Sequence, residues 1–242
     1  MQSLSVVLPA YNEEGNVATA VREAVRVGRV MAGEVEVVVV NDASTDGTGA
    51  LADRLAREVP ELRVVHHTAN RGLGGALRTG FAAASKEWVL YTDSDLPIQM
   101  DDALEALPLT EQADVVAGWR RTRGESWRRE LNSRLYNWMI RAFFGLRVRD
   151  VNFAFKLFRR SLLEKACLQA EGSFIDAELL LELRRAGGRF AELGLEYYPR
   201  QAGVSTIGGL KVVPRMLREM IKYRLRRGPC RVVPVRSESP AE

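Results

Sequence analysis

The sequence predicts an α/β fold built on a mostly parallel sheet flanked by helices. Three observations carry that prediction. The strand-like runs, such as residues 4–8 (Leu-Ser-Val-Val-Leu) and 35–40 (Val-Glu-Val-Val-Val-Val), are nearly continuous in apolar residues rather than alternating. That pattern belongs to strands covered on both faces. These runs alternate with stretches of helical periodicity, the rhythm of βαβ units. Polar or Gly-rich loops follow the strands at residues 9–13, 41–46, 70–75 and 93–95. In open α/β sheets ligands bind outside the carboxyl ends of the strands, so these four loops converge on one edge and predict a nucleotide site there.

In chain order, residues 4–8 form the first strand, which Pro9 ends. Residues 13–29 place Val17, Val21, Ala24 and Val25 at helical spacing behind an acidic start. Residues 35–40 are the second strand. The Asn-Asp-Ala-Ser-Thr-Asp-Gly-Thr stretch at 41–48 is dense in turn and N-cap residues, and a helix over 48–58 follows. Residues 62–66 are a third strand. A helix opens in the Asn-Arg-Gly-Leu-Gly-Gly stretch at 70–75 and runs to about 84. Those glycines lack the third glycine of a dinucleotide fingerprint and do not follow the first strand, so they do not predict NAD. Either the helix N-terminus that Gly72 opens approaches a diphosphate, or the glycines only permit close packing. Residues 88–92 are the fourth strand and 113–117 the fifth. A helix spans 127–146. Residues 149–158 turn into a strand, 174–186 form a helix, 190–198 a strand, and 214–227 a last helix with Pro214 in its first turn.

The fourth strand delivers Asp93 and Asp95 to its carboxyl end. Residues two apart on an extended chain point the same way. Two carboxylates held that close repel unless a cation or proton intervenes, and Mg²⁺ or Mn²⁺ bridging to a diphosphate resolves the conflict. The alternative is a pair of solvated turn aspartates.

The chain has 242 residues, 46% hydrophobic and 27% charged, as in a packed globular protein. His66 and His67 are its only histidines, which disfavours a histidine zinc site. Cys167 and Cys230 make no framework and read as one packing thiol and one tail thiol. With no run of 18 apolar residues and no signal-peptide pattern, a cytoplasmic protein is expected. The net charge of +4 is segregated. Residues 118–160 hold twelve Lys/Arg against three Asp/Glu, and residues 208–231 hold eight against one. A basic second half on an acidic body predicts an anionic partner.

The helix at 127–146 is apolar on two sides. Trp127, Leu131, Leu135, Trp138, Ala142 and Leu146 share one face, and Ile140 and Phe144 lie on another. One side packs in the core; the other, carrying Ile140 and Phe144, is expected at lipid, with arginines and tryptophans at the headgroup level, the alternative being a fully buried helix with solvated arginines. In the last helix Arg215, Arg218, Lys222 and Arg226 form one stripe and Leu217, Met220, Ile221 and Leu225 another, a membrane-surface pattern. Basic residues on apolar helices fit lipid better than nucleic acid, so no nucleic-acid partner is expected.

Taken together, residues 7–14, 41–48, 70–72, 93–95, 145–150 and 174–179 resemble the inverting family 2 glycosyltransferases, most closely the dolichol/polyprenyl-phosphate mannosyl- and glucosyltransferase branch. The resemblance covers about residues 4–206. It implies a Rossmann-like GT-A fold over 1–206, with 207–228 as a basic amphipathic helix and 229–242 as a disordered tail. It implies a nucleotide-sugar donor of the GDP-mannose or UDP-glucose type, and a polyprenyl-phosphate acceptor met peripherally on the cytoplasmic face of the membrane. By the same resemblance, Pro9, Tyr11, Glu13 and Gly72 line the nucleotide and Asp42 contacts its base or ribose. Asp93 and Asp95 hold the metal, and Arg120 and Arg200 handle the acceptor phosphate or the diphosphate. Two positions depart from the mannosyltransferase pattern: Pro97 stands where Gln is common, and residues 203–206 (Gly-Val-Ser-Thr) lack a cation.

A phosphate acceptor is already anionic near neutral pH and needs little base catalysis; the harder task is stabilising the departing nucleoside diphosphate. A hydroxyl acceptor needs a carboxylate base, for which Asp176 is the candidate, unless it is only a helix N-terminal charge. Competing readings are a GT-A enzyme acting on such a hydroxyl, and a non-catalytic nucleotide- or membrane-binding module.

Overall fold

The computed structural model describes residues 1–121, 127–198 and 212–225, with side chains for all of these but 127–129 and 212–215. Strand β1 (Ser3–Ala10) is followed by α1 (Val17–Met31), β2 (Glu34–Asn41), α2 (Thr48–Glu58), β3 (Leu62–His66), α3 (Gly72–Ala83) and β4 (Trp88–Thr92). Two 3₁₀ turns, Met100–Ala106 and Pro108–Glu111, lead to β5 (Val115–Arg120) and α4 (Trp127–Phe144). Then come β6 (Phe155–Arg159), the single turn α5 (Arg160–Leu163), α6 (Ile175–Arg185), β7 (Phe190–Leu195) and α7 (Val212–Leu225).

The strands form one sheet in the order β3-β2-β1-β4-β6-β5-β7. β1 pairs in parallel with β2 and β4, and β5 with β7. Alternate residues of each buried strand feed opposite faces. Leu4, Val6 and Leu8 pack with α1 and α2 on one side; Val7, Val89 and Tyr91 pack with α3, α4 and α6 on the other. The continuous apolar runs are therefore strands buried on both faces, as their composition predicts.

β6 is the exception, running antiparallel to both neighbours with Thr92 opposite Phe155 and Tyr91 opposite Lys156. Its start therefore lies beside the carboxyl end of β4. The loop before β6 joins the loops after β1, β2 and β4 at a single edge.

Helix α4 corrects one expectation. Ile140 is fully buried, and Phe144 packs against Phe174 and Tyr223 with ring centroids 6.0 and 5.5 Å away. Leu131, Leu135 and Trp138 instead face solvent, Trp138 being 63% exposed. The sequence shows two apolar sides but not which one the sheet claims; burial of each such side chain favours the fold by about 1.5–3 kcal/mol. In α7, Met216 and Met220 are buried while Leu217, Ile221 and Leu225 are exposed. Arg226 and the tail lie outside the described residues. Cys167 is buried and disulfide-bonded rather than a free packing thiol; Cys230 lies outside the described residues.

Candidate active site

The edge at the carboxyl ends of β1, β2 and β4 is laced by short side-chain bonds. The Asn12 amide donates to Ser44 Oγ at 3.0 Å, and Asn12 Oδ1 accepts from the Thr45 amide at 2.8 Å. The Glu13 amide donates to Thr48 Oγ1 at 2.8 Å, and Ser94 Oγ donates to the Pro9 carbonyl at 2.7 Å. Asn12, Ala43 and Leu96 have φ of 57°, 57° and 49° and are the non-glycine residues with positive φ among the described residues. Each follows one of these three strands. Left-handed backbone at non-glycine residues is costly and gathers where function holds it.

Asp42, at the end of β2, is buried. Its Oδ1 meets His67 Nδ1 at 2.6 Å and accepts from the Arg71 amide at 2.8 Å, and His67 Nε2 lies 2.8 Å from Thr79 Oγ1. His67 thus orients the carboxylate and joins α3 to β2. The adjacent histidines carry no zinc-like spacing and gave no sign of this role. Gly72 has φ +69°, and a Cβ there would lie 2.8 Å from the Glu171 carbonyl. At Gly74 a Cβ would lie 2.0 Å from the Ala170 carbonyl, while the Gly74 amide donates to Glu171 at 3.1 Å. Gly72 and Gly74 thus allow close packing of α3 against residues 170–171, whereas Gly80 makes room for Val7 of β1. Tyr11 is exposed beside these loops, and Glu13, nearly buried, accepts from Asn16 Nδ2 at 2.6 Å.

The β4 edge places Asp93 and Asp95 together. Burial first, then the neighbouring Asp95 and Asp176 charges, push the Asp93 carboxyl up to about 7. Two carboxylates in such conflict fit a hard divalent cation. Among the described residues no group of three or more His, Cys, Asp or Glu side chains could hold a metal. A carboxylate pair suits a hard ion whose remaining ligands are water and phosphate oxygens.

Asp176, in the first turn of α6, is 4% exposed and hydrogen-bonded by Lys156 Nζ. Burial raises its carboxyl and Lys156 opposes the rise. Lys156 was not singled out in the sequence. The only signal was a lysine inside the apolar strand 155–158.

Beyond β6 the charge reverses. Arg120 is fixed by Asp150, with Nε donating at 2.8 Å and Nη2 at 3.3 Å, between the rings of Phe153 and Tyr197. Asp150 therefore pairs with Arg120 and not with its neighbour Arg149, which stacks on Trp119 at 4.6 Å. A cleft of about 620 Å³ is lined by Arg120, Arg121, Arg134, Arg141 and Arg149, with Trp119 and Glu130. Arg120 is paired with Asp150, Arg121 with Glu105, Arg134 with Glu130 and Arg149 with Glu192, and the forked donors these guanidinium groups have left over suit an oxyanion. Arg200 lies outside the described residues.

The family model for glycosyl transferase family 2 matches residues 5–167. The chain belongs to this family. It is a glycosyltransferase with the GT-A fold, and the family's span runs from β1 past β6, across the carboxylate edge described above. The glycosyltransferase is 30% identical over 242 residues to polyprenol monophosphomannose synthase of Mycolicibacterium smegmatis, covering 90% of this chain and 85% of that one. It is 31% identical to undecaprenyl-phosphate mannosyltransferase of Micrococcus luteus, covering 84% and 86%. It is also 34% identical to glycosyltransferase AglD of Haloferax volcanii, over 81% of this chain but only 33% of that longer protein. Among solved structures, glucosyl-3-phosphoglycerate synthase of Mycobacterium tuberculosis with Mn²⁺ and UDP-glucose has the same fold. Its TM-score is 0.69 at 24% identity, over 92% of this chain and 79% of that one.

Proposed function

We propose that this glycosyltransferase transfers a hexose, with inversion, from a GDP-mannose- or UDP-glucose-type donor to a polyprenyl or dolichyl phosphate at a membrane surface. The observation that carries the reading is the adjacency of two oppositely charged sites. Asp93 and Asp95 stand at the end of β4, and the arginine cleft lies two strands away around β5. The relatives named for polyprenyl-phosphate sugar transfer support the acceptor class, and the Mn²⁺ and UDP-glucose of the structural neighbour support the donor and metal class.

In this reading Pro9, Tyr11, Glu13 and Asp42 hold the nucleoside, with Gly72 opening the helix beside it. Asp93 and Asp95 hold Mg²⁺ or Mn²⁺, which supplies charge neutralisation to the departing diphosphate. Arg120, set by Asp150, and the arginines around it bind the acceptor phosphate and aim its oxygen at the anomeric carbon. The nucleophile arrives anionic, so no protein base is required. The alternative of a hydroxyl acceptor with Asp176 as base is disfavoured, because that carboxylate is buried and ion-paired with Lys156.

No helix among the described residues is long and apolar enough to cross a membrane. Peripheral contact on the cytoplasmic face is assigned to the exposed Leu131, Leu135 and Trp138 of α4 and Leu217, Ile221 and Leu225 of α7. The Phe144–Tyr223 contact joins these helices, and Arg134, Arg141, Arg218 and Lys222 flank the apolar surface. Thermal-shift measurements with UDP- and GDP-sugars, with and without Mn²⁺, test the donor half. One nucleotide series is expected to stabilise the protein in a metal-dependent way, and stabilisation by none would contradict the reading.

A further inference from the structure

Lys156 is the one lysine or arginine buried among the described residues, 1% exposed in the middle of the sheet. Removing an ammonium from water costs several kcal/mol even when it is paired, so a strand of a purely structural sheet has no use for it. Its surroundings are specific. Nζ donates to the Phe153 carbonyl at 3.0 Å and to Asp176 Oδ1. It also lies 5.1 Å from the centroid of the Tyr91 ring, within cation–π range. Tyr91 is its cross-strand partner on β4, and the Tyr91 hydroxyl donates to Asp93 Oδ1 at 3.2 Å. A short chain of contacts therefore runs from α6 through Asp176, Lys156 and Tyr91 to Asp93.

We propose that Lys156 is a positioning residue for the metal-binding carboxylates: braced by Asp176 and the Phe153 carbonyl, it fixes the Tyr91 ring, and the Tyr91 hydroxyl sets the orientation of Asp93. This rests on the reading of Asp93 and Asp95 as ligands of a divalent cation. The geometry also gives Asp176 a role apart from acid–base chemistry, as the counter-ion that makes a buried lysine tolerable. Outer partners that orient metal ligands are worth about 10- to 100-fold in metal affinity.

The test replaces the pair by apolar residues of similar size, Lys156→Met with Asp176→Leu. This leaves the net charge of the site unchanged and strands no buried ion. Mn²⁺ affinity is measured by calorimetry in the presence of UDP and, separately, GDP, and thermal stability is measured in the absence of metal. The expected result is a double variant at least as stable as the wild type, with Mn²⁺ affinity reduced about 10- to 100-fold. A stable double variant that binds Mn²⁺ like the wild type would show the pair to be structural only and overturn the proposal. Should the double variant not fold, Tyr91→Phe decides, since it removes only the hydroxyl. Weaker Mn²⁺ binding is expected there, and unchanged binding overturns the proposal. Asp95→Asn is the control for the underlying reading. A wild type whose Mn²⁺ binding matches that of Asp95→Asn would remove the metal reading and the proposal with it, whereas loss in Asp95→Asn but not in the Lys156 and Tyr91 variants removes the proposal alone.

Discussion

The half of the sheet made by β3, β2, β1 and β4 presents carboxylates at its edge, whereas the half made by β6, β5 and β7, roofed by α4, presents guanidinium groups. In the first half burial and like charge work against the side chains, and Asp93 is pushed up to about 7. In the second, carboxylates are held by arginine: at the site edge buried Asp150 accepts from Arg120 Nε at 2.8 Å, and at the opposite edge, before β5, the Arg189 side chain first, with Arg159 adding to it, brings Asp114 down to about 2. The contrast teaches that the first edge lacks positive charge and the second supplies it. Joining an anionic donor to an anionic acceptor requires both, with the reacting atoms at the seam. That seam is where β6 reverses direction and Lys156 sits.

Breaking the donor side should have the largest effect. Asp95→Asn removes a charge and almost no volume, and is expected to cut transfer by about 10³-fold while shifting Tm by no more than about 3 °C. EDTA treatment of the wild type should mimic it. Rates from a transfer assay and a melting curve check both halves of the statement.

On the acceptor side Arg120→Gln is a poor probe, because it would strand buried Asp150 at a cost of about 3–5 kcal/mol. The exposed Arg134 and Arg141 are cleaner. Replacing both by Gln is expected to raise KM for a prenyl phosphate about 10- to 100-fold, the scale of one or two charged hydrogen bonds, with nucleotide affinity unchanged by calorimetry. A loss of nucleotide affinity instead would erase the distinction between the two halves.

The outward face of α4 gives a smaller effect. Leu135→Gln with Trp138→Gln should lower partitioning onto anionic liposomes about tenfold, with salt weakening but not abolishing what remains. Melting should be unaffected, whereas Ile140→Ser should lower Tm and leave partitioning per folded molecule alone. Flotation beside melting curves separates the two faces.

The smallest effect concerns pH. Asp114 has a depressed carboxyl, so its contribution to stability is complete above the ordinary aspartate value near 3.8 and is lost as pH falls toward about 2. Asp114→Asn should therefore be less stable than the wild type at pH 5 and equal to it near pH 2, as read from acid-unfolding curves.

Much of this was legible in the sequence, for identifiable reasons. Strands 62–66 and 88–92 and helix 48–58 fall where their patterns put them, because continuous apolar runs and an N-cap-rich turn are local signals. Asp93 and Asp95 were legible because their spacing alone puts two charges at one strand end. What stayed hidden depends on tertiary context. The reversal of β6 is a matter of pairing, which a five-residue run does not encode. The sequence does not tell the two faces of α4 apart, because Ile140 and Leu135 are equally apolar and only the sheet decides between them. Lys156 and His67 owe their positions to partners far along the chain, Asp176 and Asp42. Gly72 and Gly74 sit against residues 170–171, a contact no motif announces.

The central claim is transfer to an anionic lipid phosphate under metal control. It is tested most directly by incubating the protein and Mn²⁺ with radiolabelled GDP-mannose or UDP-glucose and a short-chain polyprenyl phosphate, beside the matching prenol, with EDTA as control. The account predicts a labelled, acid-labile lipid from the phosphate with one of the two donors, none from the prenol, and none in EDTA. Labelled product from the prenol while the phosphate stays inert, or product that forms equally well in EDTA, would contradict it.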